Sequence, residues 1–458
     1  MTLSAETITR LRALGDLPGA VRDTALRHFA DAVGVGHGAA GSQAGAHWRR
    51  YAQAQDGRGP ASVFGLPHGL PAATAALVNG GLIHSLEYDD THTGSIVHGS
   101  AVLAAAALAA GEAAGASGAA VIRAYTLWYE VFIRLGLAAA GGFQNRGFQL
   151  TSVGGALCAA GIAADLKGLD ADTAQHAVGI ALSQASGVFE FLTNGSTVKS
   201  MHPGWAAHAG LIAADLAGAG MTGPLTALEG KFGLFRLFAG DDGAPDRFRA
   251  LIGDLGQVWH LQSAAYKFHP CCHYLHPFIE AARLLQAEGV TAGQVARFGC
   301  GVPQGAAGIV AEPWAEKARA AGHLARWSLP VTVAMQLVDG RVDLASFEDP
   351  LSPGVADLAA RSDWHVLADS AFPARFDAFL RLTLTDGRVL ERRIDDVYGN
   401  GSRPPAQADL DAKFAANLAR LAPGADAGPL RAALAGLADA PDTAALSAAL
   451  RGLVPAKE

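Results

Sequence analysis

The sequence predicts a mainly α chain in which a large all-helical part is joined to a smaller α+β unit, and three observations carry that expectation. Half of the 458 residues are hydrophobic against 17% charged, which is ample for a large core and opposite to a disordered composition. From about Leu17 to Leu261 apolar residues recur at helical spacing, with Gly at the expected stops and no alternating run between them. After Lys267 the character changes. Arg297 to Val302 has strand-like composition, and Ala378, Leu380, Leu382 and Leu384 alternate toward a turn at Asp386-Gly387.

Taken in order, helices are expected to open at Leu17-Pro18, after Asp170 and around Pro224. The most apolar block, Ala101 to Ile122, contains Glu112 and is mostly Ala and Gly, so it reads as a buried helix pair and not as a membrane span. Leu329-Pro330 opens a helical stretch to about Leu337, stopped by Asp339-Gly340. Arg388 to Ile394 returns as the second arm of a hairpin. Beyond Pro405 three amphipathic helices follow, Gln407 to Leu421, Gly428 to Leu437 and Thr443 to Leu453. Alone they make a meagre core, so they are expected to rejoin the first helical part.

Composition also bounds function. Thirty-five Lys and Arg against 42 Asp and Glu give −7, which offers no general footprint for nucleic acid, so an anionic ligand has to be met locally. The first residues show no basic stretch followed by an apolar run, and a cytoplasmic location away from membranes is the expectation. The four cysteines, Cys158, Cys271, Cys272 and Cys300, form no disulfide framework and fall at spacings unlike those that hold an iron–sulfur cluster.

Three motifs read better as structure than as sites. Gly36-His-Gly38-Ala-Ala-Gly41 fits a dinucleotide fingerprint but follows the helical pattern Val21 to Val35 where a strand is required. His269, Cys271, Cys272, His273 and His276 resemble a soft-metal cluster, yet adjacent cysteines seldom face one ion. Glu87, Asp89 and Asp90 near a turn are more often caps and solvated groups than ligands of a cation. No metal and no cofactor are expected.

The segment with most chemistry is Glu87-Tyr-Asp89-Asp90-Thr91-His92 followed by His98-Gly-Ser100, where a helix N-terminus directly after an imidazole attracts anions. Arg146-Gly-Phe-Gln149-Leu-Thr151-Ser152 repeats the arrangement, with Thr151 or Ser152 as the expected cap. Lys199 lies in a polar insert of Asn, Ser and Thr residues that ends at His202-Pro203. Tyr266-Lys267-Phe-His269-Pro falls where the two parts of the chain meet, a preferred place for ligand clefts. An imidazole, two lysines, an arginine and helix N-termini describe a pocket for a substrate with several carboxylates, and suit proton abstraction next to one of them.

At these residues the sequence resembles the MmgE/PrpD family, which includes 2-methylcitrate dehydratase, cis-aconitate decarboxylase and iminodisuccinate epimerase. The resemblance runs over roughly residues 15 to 450 and rests on His84-Ser-Leu-Glu-Tyr-Asp-Asp-Thr-His92, His98-Gly-Ser-Ala101, Tyr129-Glu-Val, Arg134-Leu-Gly136, Thr151-Ser-Val-Gly-Gly155, Lys199 before His202-Pro-Gly204, Lys267 with His269-Pro-Cys-Cys272, and Ala325-Arg-Trp-Ser-Leu-Pro330. It implies a helical domain from both chain ends, 1–267 and 403–458, an inserted α+β lid domain, 268–402, a homodimer and metal-free catalysis. Position by position, Thr91 matches the family's threonine, His98 its catalytic histidine, and Lys199 and Lys267 its two lysines, while Glu87 stands where an Asp is usual. His98, Lys199 and Lys267 are thus the expected catalytic groups, converging on one hollow, with Glu87, Thr91, Arg146, Gln149, Tyr266 and His269 binding substrate.

Two positions depart from the family pattern. Gln149 replaces a histidine in a Gly-Phe-His-Pro-Thr segment, putting an amide that cannot shuttle protons where an imidazole is usual, and His98-Gly-Ser100 stands for a His-Pro-Ser-like segment. The resemblance implies a lyase acting on a small di- or tricarboxylate, 2-methylcitrate dehydratase-like first. Dicarboxylate epimerisation ranks next, then decarboxylation of the cis-aconitate type, then a catalytically silent carboxylate-binding relative.

Overall fold

The computed structural model describes residues 1–455. In chain order its helices begin with α1 (Leu3–Ala13), α2 (Gly19–Ala40), α3 (Ala46–Gln53), α4 (Ala72–His84), α5 (Gly99–Ala114) and α6 (Gly118–Ala138). There follow α7 (Gly142–Asn145), α8 (Leu150–Leu166), α9 (Ala171–Gln184), α10 (Phe191–Asn194), α11 (Met201–Gly218) and α12 (Ala244–Ile252). A second stretch holds α13 (His276–Ala287), β1 (Val295–Val302), α14 (Gln304–Val310), α15 (Trp314–Lys317), α16 (Leu329–Asp339), α17 (Pro353–Ala360), β2 (Ser362–Val366), β3 (Ala378–Leu384) and β4 (Val389–Ile394). The chain then returns through α18 (Gln407–Leu421), α19 (Gly428–Ala435) and α20 (Ala444–Gly452). This is a mainly α fold with one small sheet, and among the described residues no helix is long and apolar enough to cross a membrane.

The chain forms two compact units. The larger is all-helical and comprises Met1–Ser85, Asp89–Ala264 and the residues from Ala406 onward. The smaller comprises Ala265–Pro405 together with the three-residue segment Leu86–Tyr88. That segment is held there by its own hydrogen bonds: the Arg326 guanidinium donates to the Leu86 carbonyl at 2.9 Å, and the Tyr88 hydroxyl donates to the Phe268 carbonyl.

In the larger unit the core is built from helices so rich in Ala and Gly that their backbones nearly touch. Where α4 crosses α11, a Cβ added to Gly204 would lie 2.2 Å from the Leu77 carbonyl oxygen, closer than any real contact. Only glycine lets the two helices approach this far, and the approach sets His84, the last residue of α4, near His202 in the first turn of α11. Replacing Gly204 with Val is therefore expected to cost several kcal/mol, beyond the ~1–3 kcal/mol of ordinary overpacking because backbone is what must move. Gly218→Ala at the end of the same helix meets only a Leu169 methyl at 3.6 Å and is expected to be neutral or stabilising. Denaturant midpoints of the two variants check this.

The terminal helices complete the same unit. On α18, Lys413 is buried and pairs with Asp31 of α2 at 2.8 Å, Phe414 covers Gly34, and Asn417 covers Gly38. Gly36 and Gly38 lie within α2, so that glycine run is helix interior packed on other helices. Farther along, Ser447 of α20 hydrogen-bonds Glu112 of α5, whose carboxyl burial pushes upward in pKa.

The smaller unit has a four-stranded sheet in the order β2-β1-β3-β4, with β1 parallel to β2 and antiparallel to β3. The alternation Ala378 to Leu384 does place Ala378, Leu380, Leu382 and Leu384 inside, and the hairpin turns at Asp386-Gly387. Helix α16 ends at Gly340, which adopts φ 68° as a left-handed stop. Strand β2 carries no such signal, because it is an exposed edge strand whose side chains alternate only weakly.

Two local expectations need correction. No helix opens at Pro224, which lies outside any helix or strand against Gly179 of α9 before the chain turns through the residues that follow. Neither Thr151 nor Ser152 caps α8, which begins at Leu150 with Gln149 as its N-terminal flank. Both hydroxyls are used elsewhere, Thr151 accepting from the His98 backbone N–H at 3.1 Å and Ser152 donating to the His202 carbonyl at 3.1 Å.

Candidate active site

In the larger unit the segment after Tyr88 folds back on itself, with an antiparallel bridge between His92 and Val97, and delivers His98 to the N-terminal end of α5. His98 is the flank of that helix, and its side chain is 14% exposed, which leaves it reachable. Its Nδ1 lies 3.1 Å from the Asp90 carbonyl and 2.9 Å from Thr91 Oγ1. A carbonyl can only accept, so Nδ1 carries a hydrogen, and in the neutral ring the lone pair is then on Nε2. The structure brings Thr91 and His98 together.

The Asp90 carbonyl owes its position to the Asp90 side chain. This buried carboxylate accepts from the Ser100 backbone N–H at 3.1 Å, from the Ser100 hydroxyl and from Tyr129 Oη at 3.1 Å, while His28 Nδ1 of α2 lies 3.0 Å away. Tyr125 completes the cluster through the Ser100 hydroxyl at 2.6 Å. Burial and the neighbouring Asp90 charge push the Tyr129 hydroxyl well above its ordinary range, so it stays a donor. Gly99 fits beneath the Tyr129 ring because it lacks a Cβ. Asp90 is thus a buried brace joining α2, α5 and α6.

Beside His98 runs a second network. His84 and His98 stack obliquely with ring centroids 4.9 Å apart, and Asp89 Oδ2 lies 2.8 Å from His84 Nδ1 and 4.0 Å from His98 Nδ1. Gln149 bridges onward, its Nε2 3.5 Å from His84 Nε2 and its Oε1 bonded to His202 Nδ1. One direction of donation satisfies all three links: His84 Nδ1–H gives to Asp89, the Gln149 amide gives to His84 Nε2, and His202 Nδ1–H gives to Gln149 Oε1. Burial first, then the nearby His84 and Lys199 charges, pushes the His202 imidazole down to about 4. His202 is therefore neutral near pH 7. His84, Asp89 and His98 also offer three donor atoms within 4.8 Å of one another, a set able to hold a metal ion.

The remaining residues singled out from sequence divide between the units. Lys199 sits half-buried in a short turn of helix, Thr197–Ser200, that leads into α11, and its charge acts on His202. Arg146 is exposed, its guanidinium against Gly240, and no hydrogen bond joins it to the imidazole network among the described residues.

The smaller unit holds the rest. Glu87 is buried and adopts φ 54°, a left-handed conformation that costs a non-glycine residue of order 1–3 kcal/mol and is imposed by the anchored carbonyl of Leu86 and hydroxyl of Tyr88 on either side. Lys267 is fully buried, and its charge, like those of Arg326 and Glu87, acts on the Cys271 thiol, which burial pushes well up. Tyr266 is buried and its backbone N–H donates to the Gly399 carbonyl at 2.9 Å. His269 bonds the Val342 carbonyl through Nδ1 at 2.9 Å and packs edge-on against His276. The cysteines are free thiols, with Cys271 buried and Cys272 half-buried.

Sequence reasoning missed His28, Asp90 as a brace, and the positions of His84 and His202 at the two ends of a relay. His28 shows no local signal, since its partner lies 62 residues away in the chain. His202 before Pro203 at a helix start was the visible hint.

Comparison with known proteins fits this architecture. The MmgE/PrpD N-terminal domain model matches residues 5–246, and the MmgE/PrpD C-terminal domain model matches residues 269–434. The chain therefore falls in a class of mainly α proteins built from these two domains. It belongs to the MmgE/PrpD family. Cis-aconitate decarboxylase of Mus musculus is 28% identical over 415 residues, 86% of this chain and 82% of the relative, and that of Homo sapiens is 27% identical over 426 residues, 89% and 85%. Cis-aconitate decarboxylase of Aspergillus terreus is 31% identical over 237 residues, so the match spans about half of each chain, 50% of this one and 48% of the relative.

Proposed function

We propose that the chain is a metal-independent lyase that acts on a small di- or tricarboxylate by moving a proton at a carbon next to a carboxylate, with His98 as the proton-moving group. The observation that carries this reading is the 3.1 Å contact of His98 Nδ1 with the Asp90 carbonyl in a partly accessible ring, which assigns the Nδ1 hydrogen and leaves Nε2 to exchange a proton. Imidazole in general titrates near neutrality, which suits both taking and returning a proton. Lys199 supplies positive charge within the same unit.

Decarboxylation suits the site better than dehydration. Dehydration needs a second group able to protonate a departing hydroxyl, and the other imidazole end of the relay, His202, is held neutral. When a carboxylate leaves as carbon dioxide, its electron pair passes to carbon and takes up one proton, which His98 Nε2 can deliver after taking it from solvent, the ring returning to its neutral form. The cis-aconitate decarboxylases among the relatives support the same ranking. Hydro-lyase activity is the second reading, favoured by the resemblance to family dehydratases.

Incubation with cis-aconitate and related acids in deuterated water tests this. The expected result is carbon dioxide release with one deuterium in the product. An unsaturated acid formed with loss of water selects the hydro-lyase, and exchange without loss of either selects an epimerase. Tight binding of these acids with no exchange makes the chain a silent relative and overturns the proposal.

A further inference from the structure

His84, Asp89 and His98 combine two imidazoles and one carboxylate, the donor types that first-row divalent ions take, with ligand atoms within 4.8 Å of one another. Asp89 Oδ2 stands between the rings, 2.8 Å from His84 Nδ1 and 4.0 Å from His98 Nδ1. Tetrahedral zinc with bonds of about 2.0–2.2 Å sets its ligand atoms about 3.3–3.5 Å apart, between those two separations. Gln149 adjoins the far nitrogen of His84 with its amide nitrogen at 3.5 Å, and turning that amide over gives a ligating histidine the hydrogen-bond acceptor it needs there.

We propose that His84, Asp89 and His98 bind a divalent transition-metal ion, zinc in the first instance, and that the bound ion switches the proton-moving imidazole off. No net proton has to leave. When Nδ1 of His84 takes the ion, its proton moves to Nε2. The Gln149 amide turns over so that Oε1 accepts from His84, and its NH2 then faces His202 Nδ1, whose proton moves to its own Nε2. The amide at position 149 permits this reversal without a change of shape. On His98 the ion replaces the Nδ1 proton, which passes to Nε2, and the ring turns from its Nδ1 contacts with the Asp90 carbonyl and Thr91 toward Asp89. Nε2 then can neither take up a second proton nor readily give up its own, because a metal-bound neutral imidazole is a far weaker acid than imidazolium, so it cannot supply the proton that the carbon takes up. Asp89 supplies the negative charge, and the fourth position is left to water or a substrate carboxylate.

The test uses the full-length, untagged chain stripped with a chelator and titrated with Co2+, whose tetrahedral complexes absorb strongly in the visible. One Co2+ per chain is expected, displaced by Zn2+, with the band lost in Asp89→Asn and in His84→Gln while circular dichroism shows both folded. No band in the native chain, or an equal band in both variants, overturns the proposal. X-ray absorption of the zinc-loaded native chain decides independently of how the variants fold: a shell of two imidazoles and a carboxylate supports the site, and a sulfur shell overturns it by placing the ion on cysteines. Because binding is read spectroscopically, the result stands apart from whichever acid the enzyme turns over. With an active acid in hand, Zn2+ is expected to abolish deuterium exchange and a chelator to restore it.

Discussion

His98→Gln is expected to lower kcat by about 10²–10⁴-fold, the usual worth of a positioned proton-transfer group, while KM changes little. Glutamine keeps the approximate length of the side chain and can still donate to the Asp90 carbonyl, but it has no lone pair on nitrogen to take a proton. The anchor between the His98 backbone N–H and Thr151 is untouched, so the loop has no reason to move. Steady-state turnover and single-turnover deuterium incorporation check the effect, with thermal melting as control. A variant that keeps more than a tenth of native kcat would remove His98 from its role.

Asp90→Asn is expected to damage both stability and turnover. The Asp90 carboxylate gathers donors from Ser100 and Tyr129 and has the His28 ring beside it, all in a region closed to water. An amide of the same shape turns one acceptor into a donor and sets it against hydroxyls and an imidazole. Breaking such a buried charged cluster from one side typically costs 3–5 kcal/mol, about the scale expected here. Because the Asp90 carbonyl fixes the tautomer of His98, kcat is expected to fall as well, at a temperature where the variant is still folded. Denaturant unfolding gives the first quantity and turnover the second. A variant as stable as the native chain would show that the cluster is not a brace.

The two levels of structure differed in how far they could be read from the sequence. Helical periodicity, the stop at Gly340, and the alternation leading into Asp386-Gly387 are local, and local rules found them. Strand β2 escaped because pairing with β1, and not its own pattern, makes it a strand. The same division holds at the site. Thr91 and His98 stand seven residues apart, whereas the relay from Asp89 to His202 joins a loop, the end of α4, the flank of α8 and the start of α11, where the close packing of Gly80 on Gly204 draws α4 and α11 together. Gln149 was legible as a departure from the family pattern, but its use as a two-way bridge required both imidazoles in place.

The contact between α18 and α2 also bears on how the chain is made in the cell. Asp31 emerges from the ribosome early, and its cation, Lys413, emerges 382 residues later. Until then a carboxylate destined for burial has no counterion, and the glycine surface of α2 that Phe414 and Asn417 will cover stays open. The inserted unit, whose sheet and helices are contiguous in sequence apart from Leu86–Tyr88, has most of its parts available first. Nascent chains arrested before residue 407 should therefore carry an incomplete helical unit with an adhesive flank, the stage at which chaperone engagement would matter most.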